Sequence, residues 1–152
     1  MHHAWPLLLF VIALPAHACW QDAARRYGVD AQLLYAIAQH ESNLNPHAIN
    51  RSHAARTGSI DIGLMQINSR WLPLLARHGL READLLEPCL NLQVGAWILA
   101  QGFQRYGATW EAVGAYHASC SRLSAPDCVA TRARYANAVY RRLQATTRRP
   151  TP

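Results

Sequence analysis

The chain has no lysine. All 15 of its basic residues are arginine, set against 9 acidic ones, for a net charge of +6. An excess of that sign points to an anionic partner or to a solvated basic face, and says nothing of fold. There is no C-x₂-C pair, so the cysteines lack the spacing of a zinc site. His40-Glu41 begins a metalloprotease-like motif, but the position one helical turn on is Leu44, where a second histidine is required. The other histidines show no ligand spacing, and no metal or cofactor is expected. There is no Gly-rich phosphate loop, no internal repeat and no long linker. The N-terminal apolar run, Leu7 to Leu14, is too short to span a bilayer. What remains is a chain of 152 residues, 51% apolar and 16% charged, with room for one domain and its core and too apolar for a disordered body.

Met1 to Ala18 reads as a secretory signal peptide, with the small-x-small site Ala16-His17-Ala18. Lipid attachment at Cys19 is the rival reading. All four cysteines, Cys19, Cys89, Cys120 and Cys128, lie beyond that site. An even count in an exported chain implies disulfides, in one of three pairings. A bond between Cys120 and Cys128 would be a short clasp around Ser121 to Asp127.

The chemistry centres on Glu41. Asp30 has the right type and place to cap a helix running to Glu41. Leu34, Ile37 and Ala38 make an apolar stripe, and Glu41 falls on that stripe at i+7. A carboxyl there loses hydration, which favours its neutral form and suits a general acid. Ser42 to Pro46 stops the helix. A polar loop follows, then Asp61 to Trp71, an apolar segment carrying Gln66 and Asn68. An acid at a helix end beside such a segment suits a cleft that hydrogen-bonds a sugar.

The rest is helical. A short helix from Cys19 to Tyr27 ends at Gly28. Ser69 can cap a helix with Pro73 in its first turns, and Arg81 to Leu86 is another short helix. Leu90 to Tyr106 is apolar nearly all round and is expected to be the buried central helix, with Gly95 admitting a close neighbour. Thr109 caps the next helix, with Glu111 a first-turn surface carboxylate. The last runs from about Cys128 to Leu143, with Val129, Ala133, Ala136, Tyr140 and Leu143 inward and Arg132, Arg134, Arg141 and Arg142 outward. The fold class is therefore mainly α, with at most a small β-hairpin near residues 51–62.

Glu41-Ser42, Gly63-Leu-Met-Gln-Ile67 and Ala115-Tyr-His117, in that order, resemble the soluble lytic transglycosylase domain of the lysozyme superfamily, from about Cys19 to about Leu143. The chain is similar to the small transglycosylases that accompany type III secretion, conjugation and pilus systems in Gram-negative bacteria. The resemblance implies an α+β lysozyme-like domain over 19–145, which follows the signal peptide read over 1–18 and precedes a tail over 146–152 whose Thr, Arg and Pro content reads as frayed. It implies a periplasmic monomer acting on peptidoglycan glycan strands, not nucleic acid, with a secretion or pilus apparatus as a further partner. It assigns Glu41 as acid and then base, and Ser42, Gln66, Tyr116 and His117 to substrate, while Asn68, also read as a substrate residue, matches the lysozyme pattern. It also implies the Cys19–Cys89 pairing. The product would be 1,6-anhydromuramyl, made with one carboxylate. His117 and Ser119 depart from the family's Ala-Tyr-Asn-Ala-Gly motif. The segments Gly58-Ser-Ile-Asp61 and Gln66-Ile-Asn-Ser-Arg-Trp71 are also similar to animal-type lysozyme, which would make Asp61 a second carboxylate and the enzyme a hydrolase. A glycan-binding or assembly protein without catalysis is the third reading.

Overall fold

A computed structural model describes residues 16–147. Most of the expected signal segment, and residues 148–152 of the expected tail, lie outside the described residues. The first helix, α1, runs Ala16–Tyr27 and ends at Gly28, whose φ of +64° suits glycine. The second, α2 (Ala31–Ser42), begins where Asp30 accepts a hydrogen bond from Leu33 N. It stops at Asn43 and Leu44, both in the left-handed region. Leu34, Ile37 and Ala38 are fully buried, as their spacing predicts.

Three two-residue strands follow: β1 (Ile49–Asn50), β2 (Asp61–Ile62) and β3 (Ile67–Asn68), antiparallel in that order. The expected hairpin is therefore present and gains a third strand. Between β1 and β2 lies one helical turn, α3 (Ala54–Thr57). The register sets Asn50, Asp61 and Asn68 side by side, and Ile49, Ile62 and Ile67 beside them. Because successive residues point to opposite faces, the polar row shares one face while Ile62 and Ile67 enter the core from the other.

A 3₁₀ turn (Ser69–Trp71) leads into α4 (Leu72–Ala76), and a second 3₁₀ turn spans Glu82–Leu86. The cap of the first turn is Asn68, whose Oδ1 accepts from Arg70 N. The Ser69 hydroxyl, expected as the cap, instead accepts from Ile60 N and braces the sheet. The long helix α5 (Pro88–Tyr106) is started by Glu87, whose carboxylate accepts from Cys89 N and Leu90 N. It is the central element, packed against α1 and α6 (Trp110–His117). A Cβ added at Gly95 would sit 2.8 Å from the Met65 side chain, so the close neighbour anticipated there is Met65. The last helix, α7 (Ala125–Thr147), packs on both α2 and α6. Cys19 is bonded to Cys89, tying α1 to α5, and Cys120 to Cys128 across the turn before α7.

The rotation of α7 differs from the expected one. Val129 and Tyr140 are 62% and 43% exposed, while Arg132 is only 5% exposed. The inward stripe is Arg132, Tyr135, Ala136 and Val139. The reason is that every group around the Arg132 head is matched. Its guanidinium donates to Ala118 O, Glu111 Oε1 and the Tyr106 hydroxyl, and lies 4.9 Å from the Tyr106 ring centroid. Treating every arginine as outward turns the helix by about one residue, and the inward face is then misassigned.

One buried amide holds the joint between helices and sheet. Asn91 of α5 is wholly buried. Its Oδ1 accepts from Met65 N, and its Nδ2 donates to Ile62 O and Leu85 O. Gly63, at φ +77°, leaves the space that this amide fills, since a Cβ there would lie 2.3 Å from Asn91 Nδ2. Replacing Asn91 by alanine strands three buried backbone groups. We expect Asn91→Ala to lose ~2–4 kcal/mol of stability, read as a lower urea midpoint at unchanged slope.

Candidate active site

Glu41 occupies the last turn of α2, on the face that packs towards α7. Its side chain reaches an open cleft of about 560 Å³, where Asp61, Gln66, Asn68, Tyr116 and His117 also line the wall. The surrounding protein strips the carboxyl of most of its water. That desolvation pushes its pKa from 4.5 up to about 7, aided by the negative charge of Asp61 and opposed by a hydrogen bond from Tyr135. A carboxyl so placed keeps its proton near neutrality.

Nothing in the sequence alone singles out Tyr135. Its hydroxyl donates to Glu41 Oε1 at 2.5 Å, which leaves Oε2 free to carry a proton. Desolvation, then the charge of Glu41, hold the Tyr135 hydroxyl well above the ordinary tyrosine value, so it remains a donor. The ring is fixed from two sides. His117 stacks on it at 4.8 Å between centroids and 10° between planes, and His40 meets it edge-on at 5.0 Å. Burial lowers the pKa of both histidines, which favours neutral rings beside the acid. The signal that finds Tyr135 is the true stripe of α7, on which a tyrosine stands one turn from a buried arginine.

The other predicted residues divide. Tyr116 lies in the cleft wall close enough to Glu41 for that carboxylate's charge to add to burial in raising its pKa, and its hydroxyl donates to Met65 O at 2.8 Å. Gln66 lines the cleft but sends Nε2 to Ala48 O and Gly63 O, so its amide oxygen is the part left for a ligand. Asn68 donates to Asp61 Oδ1 at 2.7 Å and to Ser59 Oγ. Ser42 does not line the cleft. Its hydroxyl donates to Leu64 O at 2.7 Å and braces the 63–66 turn against α2. At the cleft's other end Trp71 is held edge-on by Trp97, at 5.3 Å, and offers an aromatic surface.

An acid near pKa 7, a second carboxyl group and amide groups in one cleft are the kinds of group that breaking a glycosidic bond requires. The family model described as Transglycosylase SLT domain matches residues 18–127. The chain belongs to the transglycosylase SLT family. By that membership it is a peptidoglycan lytic transglycosylase. The SLT match stops short of Tyr135, so the tyrosine that grips the acid lies beyond it. Invasion protein IagB of Salmonella typhimurium is 41% identical over 150 residues, covering 95% of this chain and 89% of that protein. Protein IpgF of Shigella flexneri is 39% identical over 137 residues, covering 90% and 86%. The fold of this SLT chain is that of the lytic transglycosylase Slt from Pseudomonas aeruginosa, solved as an inactive mutant. The TM-score is 0.65 at 20% identity, with 86% of this chain aligned to 24% of that one.

Two outcomes follow from the environment of Glu41. Its folded pKa, about 7, exceeds its unfolded value of 4.5, so burial destabilises the fold progressively as pH rises between those values. Glu41→Gln does not titrate. It should therefore be more stable than wild type above pH 7, by on the order of 1–3 kcal/mol, with the gap closing below pH 4.5 in paired urea titrations. In Tyr135→Phe the bond that lowers the Glu41 pKa is lost. The alkaline limb of kcat should then move to higher pH while kcat itself falls, as pH–rate profiles of the two proteins will show.

Proposed function

We propose that this chain cuts the β-1,4 bond between N-acetylmuramic acid and N-acetylglucosamine and leaves a 1,6-anhydromuramyl end. The observation that carries this reading is the desolvated carboxyl of Glu41, gripped on one oxygen by Tyr135. The proton on Oε2 passes to the glycosidic oxygen, the C1–O bond breaks, and positive charge develops at C1 and the ring oxygen. The Tyr135 hydroxyl is already aimed at the carboxylate that this step creates. That carboxylate then takes the proton of the muramoyl 6-hydroxyl as its oxygen closes on C1. A tethered hydroxyl has an effective concentration of order 10⁵ M or more, far beyond that of water, so a cleft that orients it needs no second base.

The setting of the reaction is part of the proposal. Two disulfides in so short a chain favour an oxidising compartment, and a peptidoglycan substrate supports a periplasmic setting, in which we propose that the protein acts as a monomer. Its Salmonella relative is an invasion protein, which supports local wall opening for a secretion, conjugation or pilus apparatus. The test is digestion of purified peptidoglycan by wild type and Glu41→Gln, with the products weighed. General acid–base catalysis is worth roughly 10²–10⁴-fold, and the variant should lose at least that. The wild-type muropeptides should be lighter by one water than reducing-end forms. Reducing-end products would make the protein a hydrolytic muramidase using Asp61, and binding without cleavage would make it a scaffold.

A further inference from the structure

Opposite Glu41, the carboxylate of Asp61 is held on both oxygens. Oδ1 accepts from Asn68 Nδ2 at 2.7 Å. Oδ2 lies 2.7 Å from His53 Nε2, with Asn50 Nδ2 at 3.5 Å. The far ring nitrogen, His53 Nδ1, lies 2.9 Å from Thr57 Oγ1. The Asp61 and His53 side chains are 21% and 18% exposed, and His53 and Thr57 both line the cleft. Three elements converge here: β2 supplies Asp61, β3 supplies Asn68, and His53 and Thr57 stand at the two ends of α3.

The threonine makes the ring's position independent of its charge. With His53 neutral and its hydrogen on Nε2, Nδ1 accepts from the Thr57 hydroxyl. With the ring protonated, Nδ1 donates to Thr57 Oγ1, which can turn its own hydrogen to His53 O at 3.0 Å. In both states Nε2–H still donates to Asp61. The carboxylate is thus clamped by one charge-assisted hydrogen bond on each oxygen. A clamped anion facing the reacting sugar can still stabilise positive charge without moving, which is how preorganised electrostatics act.

Resting on the lytic reading above, we propose that His53 is a positioning residue for catalysis. It fixes Asp61 as an immobile negative charge on the cleft wall, where it stabilises the oxocarbenium-like centre. His53 does not itself touch the reacting atoms.

The experiment is a double-mutant cycle on soluble, uncrosslinked glycan strands, with kcat, KM and thermal midpoint measured for each protein. His53→Ala should lower kcat ~10-fold or more at near-constant KM, a loss typical of one charge-assisted hydrogen bond. His53→Gln, whose amide N–H can still donate to Asp61, should recover most of that loss. In an Asp61→Asn background, His53→Ala should cause no further loss of kcat. His53→Phe keeps the ring volume and is scored the same way should the alanine variant fail to fold. An unchanged kcat in His53→Ala, or an equal loss with and without Asp61, would overturn the role given to His53. Those results leave the lytic reading standing, because that reading fails only if Glu41→Gln stays active or wild type releases no anhydro product.

Discussion

The arrangement depends on removing water from one carboxyl group. Glu41 sits where the apolar stripe of α2 meets the cleft, and the surrounding protein makes its charge expensive. Everything around it sets how far that penalty goes. Tyr135 restrains it by donating to Oε1, and Asp61 adds to it through charge. The balance lies near neutrality, where an acid can both give and regain a proton. A fully buried, unpaired glutamic acid would hold its proton too tightly, and a solvated one would have lost it.

That balance is maintained at a distance by α7. Tyr135 can grip the acid only if α7 is rotated correctly, and the rotation is locked by Arg132 one turn away. The guanidinium reaches Ala118 O at the end of α6, the helix that also carries Tyr116 and His117. Gly114 of α6 allows the approach, since a Cβ there would lie 2.6 Å from Arg132 Cβ. A single matched cation therefore sets both the tyrosine that holds the acid and the helix that walls the cleft. Losing one of its partners would leave a buried charge, which is why such a group acts as a register pin more than as a source of stability.

The sequence showed the acid helix, the central helix and the location of the sheet, because these rest on local signals. The Asp30 cap, the stripe ending in Glu41 and the all-round apolarity of α5 are each read within one or two turns. It failed where the outcome depended on partners far along the chain. Arg132 looks outward until Glu111, Tyr106 and Ala118 O are known to surround it, and Tyr135 is then turned away from Glu41 by the same error. Ser42 stands next to the acid in sequence, yet its hydroxyl is consumed by Leu64 O. His53 shows no ligand spacing in the sequence, and spacing along the chain cannot show that it meets Asp61 across the α3 turn.

The Gly63-Leu-Met-Gln-Ile67 segment, which carried much of the family resemblance, has no acid or base in it. Its backbone explains why it matters. Gly63 O accepts from Gln66, Leu64 O from Ser42 and Met65 O from Tyr116, Met65 N donates to Asn91, and Ile62 O just before the segment also accepts from Asn91. Each tie comes from a side chain in α2, α5, α6 or the turn itself. The segment is therefore the joint at which the helical wall bearing Glu41 meets the strand wall bearing Asp61 and Asn68. Gly63 is needed for its positive φ and for the space Asn91 occupies, and Met65 for its fit against Gly95. A cleft lined by Glu41 from one wall and Asp61 from the other has a constant geometry only if its walls are fixed relative to each other. Here that fixing is done by backbone carbonyls, and the motif records the side chains that let them be reached.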